Sequence, residues 1–470
     1  MSQRSTQSDR YAIDLQYNTF DVLDDDANSF TCEDEVADDD DNEIAVVRTV
    51  LDEDNNLFSC MSGIDTPVAC SNGIDTGVSG LFMLNHPDLY TEQFQIDFPK
   101  TIRSASRNAG IEYAITGKYP NFFTNTVLTT KQSFPFLRLF FQRGSLQDSE
   151  DATIKWFYPY SYDSNGCSCE VWGTIVRDLS SGETLSHRVS GAIVKSLTIS
   201  VNAAEYISIR SELIGRALET NHDSSGDTFT LTTESPLLWR NVASKIGDSY
   251  TALQTCDLKD FALSVKNDAK SRVFNSSAIQ KFNLGRVTGL GSITIPWENT
   301  STGWTNNTAL DDMFSGELTR LSLYWGNQYV STAYTMSINM LVRYMKGKIS
   351  EDKEISNEMS FIIVEDNSFS SDNSYISSWS VDSSSADTIN FTFPSTQTLT
   401  GNVFPGDVVL TLDASVGATT RWVVENVLDS NSVRLTTNHS AGVGASGTTV
   451  TIIRQPINIG LNDDIDRYIT

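Results

Sequence analysis

The side chains able to do chemistry are few and scattered along this chain. Its four histidines, His86, His187, His222 and His439, lie in unrelated segments, and none has a metal-ligand partner at helical or hairpin spacing. Cys167 and Cys169 flank Ser168 and fall on one side of an extended strand. No second Cys or His pair completes a tetrahedral site, so buried free thiols are expected there rather than zinc. Asp24, Asp26, Asn28 and Glu35 take the first, third, fifth and twelfth positions of a calcium loop. Ser29 stands where the sharp turn needs glycine, and the flanks are not amphipathic helices, which leaves these four as weak candidates for a divalent ion. Carboxylate pairs are frequent, yet the separation that defines a glycosidase dyad is not encoded in spacing along the chain. Residues 81–370 contain no Gly-x-Ser-x-Gly elbow, no phosphate loop and no Gly-x-Gly-x-x-Gly. Trp156, Trp172, Trp239, Trp297 and Trp325 sit in or beside strand-like runs, where packing is expected rather than carbohydrate stacking. The expectation is a non-enzyme without catalytic residues, cofactor or resident metal.

The totals agree with a structural role. The chain has 470 residues, 39% of them hydrophobic, enough for several cores. No run of apolar residues is long enough to cross a membrane, and the polar start, Met1 to Gln7, lacks a secretory signal, so neither export nor anchoring is expected. Six cysteines are too sparse for a disulfide scaffold. A net charge of −27 opposes nucleic-acid reading, which needs a basic surface. That charge is uneven: residues 21–54 hold fifteen Asp and Glu against one Arg, including Asp24 to Asp26 and Asp38 to Asp41. Such a run repels itself and buries little, so residues 1–80 are expected as an acidic N-terminal arm or extended loops.

From residue 81 the sequence alternates apolar and polar residues rich in Ile, Val, Thr, Phe and Tyr, the signature of half-buried strands. One apolar stretch, Phe134 to Gly144, with Pro near its start and Gly at its end, predicts a short helix packed on a sheet. A second short helix is expected at 309–314. The run Ile193 to Val201, a polar turn at 202–205 and the run Tyr206 to Gly215 predict a long β-hairpin. Leu197, Ile199 and Val201 face a core in that hairpin, while Thr198 and Ser200 face outward. Lys259 to Val265 repeats the pattern of Lys195 to Val201, with Val287 to Ile295 as its return strand, which suggests an internal duplication. The expected domains are therefore 81–250 and 251–370. A Ser/Asp/Asn-rich linker is expected over 371–390, a small β-sandwich over 391–458 and a tail over 459–470.

Two segments, Gly191 to Val201 and Ser211 to Arg216, together resemble the tail tube proteins of long-tailed bacteriophages. Arg286 to Ile295 and Met359 to Val364 look like a second copy. The layout is similar to the subgroup with two fused tube domains and a C-terminal immunoglobulin-like decoration. This resemblance implies a mainly β fold of two tube-like sandwich or barrel domains with long hairpins, one or two short helices and a small C-terminal β-sandwich. It also implies a virion protein, made in the bacterial host cytoplasm, that forms trimeric pseudo-hexameric or hexameric rings. Those rings would stack into the tail tube, a channel for DNA ejection that carries DNA without sequence-specific binding. The implied partners are the chain itself and the tail terminator, tape-measure and distal tail proteins, with no membrane involved. The candidate assembly and lumen residues are Lys195, Thr198, Ser200, Ser208, Arg210, Glu212, Lys259, Ser264, Thr288, Ser292 and Thr294. A negative bias is expected on the lumen face, and loops such as 266–286 are candidates for the joint between rings. The acidic segment 21–54 departs from the family pattern. A capsid or decoration protein and a carbohydrate-binding surface adhesin stay open as alternatives.

Overall fold

A computed structural model describes strands between residues 9 and 113 and most of residues 117–462, apart from several connecting segments. The main sheet begins with β1 (Thr91–Asp97) and β2 (Gly117–Val127), followed by helix α1 (Thr130–Phe141). Then come β3 (His187–Val201), β4 (Ser208–Ile214), β5 (Asp260–Lys266), β6 (Thr288–Pro296) and β7 (Thr319–Gly326). The body closes with β8 (Thr335–Ser350), β9 (Ser356–Ile363) and β10 (Ile457–Asn462). The chain is mainly β, as expected from its alternation.

Period two decides which face of each strand is buried. In β5 the pattern alternates strictly, with Phe261, Leu263 and Val265 at most 2% exposed between half-buried or exposed neighbours. Leu197, Ile199 and Val201 of β3, Ile209 and Leu213 of β4, and Met359 and Phe361 of β9 belong to the same core. Each such side chain contributes roughly 1.5–3 kcal/mol by leaving water, so a one-residue slip, which turns a whole row outward, is strongly disfavoured. Helix α1 packs on β3 and begins four residues before the predicted start. Pro135 therefore lies inside it rather than at its first turn, where proline is best tolerated. Tertiary burial overrides that penalty: Phe134, Phe136, Leu137, Leu139, Phe140 and Phe141 are all at most 1% exposed. The helix expected at 309–314 lies largely outside the described residues.

The two runs matched by pattern turn out to be neighbours in one sheet. Strand β5 pairs antiparallel with β3, setting Thr198 opposite Ser264, so the sheet is continuous across residue 250. Gly289 and Gly291 of β6 allow a close approach of the neighbouring strand. A Cβ on Gly291 would lie 2.2 Å from the Phe361 ring of the next strand.

The C-terminal region departs most from expectation. Residues 366–454 form an eight-stranded module with a core of its own, built around Phe369, Trp379, Ile389, Phe391, Val409, Val424 and Ile452. The stretch 371–390 is part of that core, with strand Ser378–Val381 and the start of strand Thr388–Thr392. Its abundant Ser and Asp fill outward positions and turns, as where Asp382 Oδ1 accepts the Ser384 N–H at 2.8 Å. The chain then returns to the body. Ile457, Ile459 and Leu461 of β10 are buried between β8 and the strand Ala152–Phe157, so 457–462 is a core strand rather than module or tail. The module is thus an insertion whose ends meet: the Leu341 N–H donates to Pro456 O at 3.1 Å and the Val364 N–H donates to Leu341 O at 2.9 Å.

A polar joint, which has no signature in the sequence, seats the module on the body. Arg320 of β7 is fully buried; its Nη2 donates to the Asn402 carbonyl and its guanidinium lies 4.9 Å from the Phe404 ring centre. Asp407, also fully buried, accepts from the Gln455 N–H at 2.7 Å and from the Phe404 N–H at 2.9 Å. Asn458 Nδ2 donates to Pro405 O at 2.7 Å, and Gly406, at φ +92°, lets the backbone rest on the Tyr158 ring. Buried Arg454 is bound to Asp366, with Nε 3.0 Å from Oδ2. Burial pushes the Asp407 carboxyl up to about 6 against the pull of Arg320, and burial pushes Arg320 down to about 9. Both groups stay ionised at neutral pH. Burial works to raise the Asp366 carboxyl as well, but Arg454 and Ser368 hold it below the usual range.

Two outcomes follow from this joint. Replacing 366–454 by a short Gly/Ser linker should leave a folded body, whereas ending the chain at Val364 should not, because β10 is lost; circular dichroism and thermal melting distinguish the two. The raised Asp407 value means that its contribution to stability is present below about pH 4 and is lost as pH rises through 6. Wild-type stability relative to Asp407→Asn should therefore fall by up to about 3 kcal/mol between pH 4 and pH 7. Parallel stability curves for the two proteins would contradict this.

Candidate assembly face

The strand register arranges eight strands in the order β1, β2, β4, β3, β5, β6, β9, β8, every neighbour antiparallel. One face of this sheet covers the core. The other carries rows of small polar residues that run across the strands. Ser208, Ser200, Ala262, Ser292, Ser360 and Lys346 form one such row by register, and Arg210, Thr198, Ser264 and Leu290 form another.

Hydrogen bonds tie neighbouring strands on this face. Thr198 Oγ1 donates to Ser264 Oγ at 3.1 Å, and the Ser200 and Ser208 hydroxyls lie 3.1 Å apart. Lys195, at an irregularity in the β3–β4 register between Val194 and Ser196, reaches Glu212 Oε1 at 3.1 Å. Both partners are about a third exposed, so this pair contributes no more than about 1 kcal/mol. Arg210 is exposed and its guanidinium lies 5.9 Å from the Phe123 ring centre. Thr288, Ser292 and Thr294 stand on β6 opposite Lys266, Ala262 and Asp260. Of the eleven candidates, Lys259 is the exception: it precedes β5, and its N–H donates to Thr294 O at 2.8 Å.

The face does not carry the negative bias expected of it. Among the described side chains, Lys195, Arg210, Lys266, Arg343, Lys346 and Lys348 are set against Glu212, Asp260 and Glu358, a small cationic excess. The acidic excess of the chain lies elsewhere.

The strands at the two ends of this order keep an edge available. Strand β8 bends: its first half pairs with β7 and β10, and its second half, from Val342 to Ser350, pairs with β9. Among the described strands, that second half and β1 each have one partner, β9 and β2 respectively.

Among the described residues, those considered for chemistry do not converge on a site. His439 is buried, 3.0 Å from Thr411 Oγ1 and packed against Trp379 and Trp422. Cys256 is a buried free thiol, pushed up to about 12 by burial and by the charge of Asp257, so it is protonated at neutral pH. Trp156, Trp239 and Trp325 are buried and offer no stacking platform, while Trp297 lies outside the described residues. Asp24, Asp26 and Asn28 also lie outside them, and Glu35 opens the short strand Glu35–Ala37. Among the described residues, no group of three or more His, Cys, Asp or Glu side chains is placed to hold a metal ion.

No curated protein matches the chain. Compared with known families, residues 117–363, which span β2 to β9 and so nearly the whole assembly face, match the family described as phage tail tube protein. That match covers more than half of the sequence, and the chain belongs to the phage tail tube protein family as a structural component of the virion tail.

Proposed function

We propose that this non-enzymatic chain closes into rings with copies of itself, and that stacked rings form the channel through which DNA leaves the virion. The observation that carries this is the strand order. Strands β1, β2, β4 and β3 have the same sequence of pairings as β5, β6, β9 and β8, and the chain joins the two sets through β3 and β5. Irregularities in register recur at matching places, between Val194 and Ser196 in β3 and between Tyr344 and Lys346 in β8. One chain then carries the unit twice, and β3–β4 corresponds to β8–β9 rather than to β5–β6. Pairing of β8 with β1 of the next copy, as β3 pairs with β5, continues the sheet without an open edge. Three such chains give six units per ring, with pseudo-sixfold symmetry.

The polar face becomes the channel wall in this arrangement. Hydroxyl-rich rows in which each of Lys195 and Lys348 has a carboxylate, Glu212 and Glu358, opposite or beside it give the wall only a small cationic excess, so DNA is held weakly as it passes. The module at 366–454, as an immunoglobulin-like decoration, projects outward. Stacked rings meet the tail terminator and distal tail proteins at their ends and surround the tape-measure protein, and the subunits are made in the host cytoplasm before assembly.

Purified chain at high concentration should form hollow rods or stacked rings in negative-stain images. Proline placed in turn at Glu92 and Gln93 of β1 tests ring closure, because successive N–H groups of a strand point to opposite edges. One of the two variants should stay folded by circular dichroism and still fail to form rings. Rings formed by both folded variants would refute the pairing of β8 with β1.

A further inference from the structure

Strand register shows that the two units correspond beyond the assembly face. Counting from the irregularities at 194–196 and 344–346, Ile193 opposite Ile214 in the first unit answers to Arg343 opposite Ile362 in the second. Ala192 then pairs with Gly173 as Val342 pairs with Thr319, and Ser190 pairs with Ala217 as Met340 pairs with Ile457. Strand Trp172–Leu179 therefore stands for β7, and Ala217–Thr220 stands for β10. Helix α1, between β2 and Trp172–Leu179, fills the slot that the helical residues Phe314 and Ser315 fill between β6 and β7.

Inside the chain, this slot is where one unit meets the next. Asn267, which follows β5 and is 1% exposed, reaches back into the first unit. Its Nδ2 donates to Phe140 O at 3.2 Å and to Val194 O at 2.8 Å, and its N–H donates to Lys195 O at 3.1 Å. Phe140 and Phe141, at the end of α1, border the same cleft as Val287 and Ile363 of the second unit, and both rings are 1% exposed.

The second unit has no successor within the chain, and its counterparts lie open. Phe314 is 81% exposed, the most exposed large hydrophobic side chain among the described residues. Met345, which answers to Lys195 at the irregularity, is 53% exposed. Single apolar side chains are ordinary on a protein surface. These two, however, fall where the repeat places a contact between units, and a phenylalanine ring is among the side chains that contribute most when an interface buries them. The complementary place is on the first unit: Ile363, beside α1 at the internal contact, answers to Gly215, which is buried just after β4. Glycine leaves open the space that the isoleucine side chain fills, and that space suits an aromatic ring.

We propose that Phe314 anchors against the end of β4, around Gly215, of a second copy, and that the same contact covers Met345. The proposal rests on the ring reading above and adds an apolar anchor that selects which surface of the neighbour is engaged.

A photoreactive p-benzoylphenylalanine at position 314 identifies the neighbouring surface. Rings assembled from equal amounts of 14N- and 15N-labelled chain should give, on irradiation, heavy–light cross-links from 314 to the peptide around Gly215. Cross-links confined to single chains, cross-links only to other regions, or none at all would overturn the anchor. Phe314→Ser alters an exposed side chain, so the free chain should keep its circular dichroism, yet ring formation should need about tenfold more protein. Phe314→Leu should recover most of that loss. Rings from Phe314→Ser at the wild-type concentration would overturn the anchor and leave the strand pairing standing, whereas wild-type chain that never forms rings would defeat both.

Discussion

Backbone pairing on both edges of two long, bent strands organises this molecule. Strand β3 changes partners along its length, with its first half held by Trp172–Leu179 and Ala217–Thr220 and its second half by β4 and β5. Strand β8 does the same with β7, β10 and β9. Each strand therefore belongs to two surfaces, one that closes the body and one that extends the sheet. The apolar rows fix the register, and the hydroxyl rows on the opposite face follow from that register at no further cost in burial.

The difference between the two strands is instructive. The second half of β3 has partners on both edges within the chain, whereas that of β8 has β9 alone among the described strands. An unpaired edge presents a row of donors and acceptors and invites another strand. In the ring proposed above this edge is the joint, and its partner is β1 of the next copy, the strand that stands in the pairing order where β5 does.

The hairpin at 193–214 was legible in sequence because its alternation of Ser or Thr with Ile, Leu or Val is long and regular. The module was half legible. Its strands Val408–Asp413 and Val450–Arg454 follow the expected pattern, but Trp379, Val381, Ile389 and Phe391 are too widely spaced among Ser, Asp and Asn to announce a core. Composition averages over both faces of a strand, and here the outward face dominated the average. The runs 195–201 and 259–265, matched by pattern in the sequence, lie side by side in one sheet. Arg320, Asn402, Asp407 and Asn458 left no local signal at all, because a buried polar joint is defined by residues up to 138 positions apart that meet only in the fold. The acidic excess at 21–54 was legible in the sequence, but the charge of the sheet face was not, because its cations and carboxylates come from separate strands that only the register brings onto one side.

Amide hydrogen exchange of the chain before and after assembly tests the central claim most directly. Closure of the ring through β8 and β1 predicts that alternate amides in 344–350 and 91–97 become protected on assembly, to the level that β3 and β5 already show in the free chain. Protection gained elsewhere while these two strands keep exchanging at their free-chain rates would contradict the account.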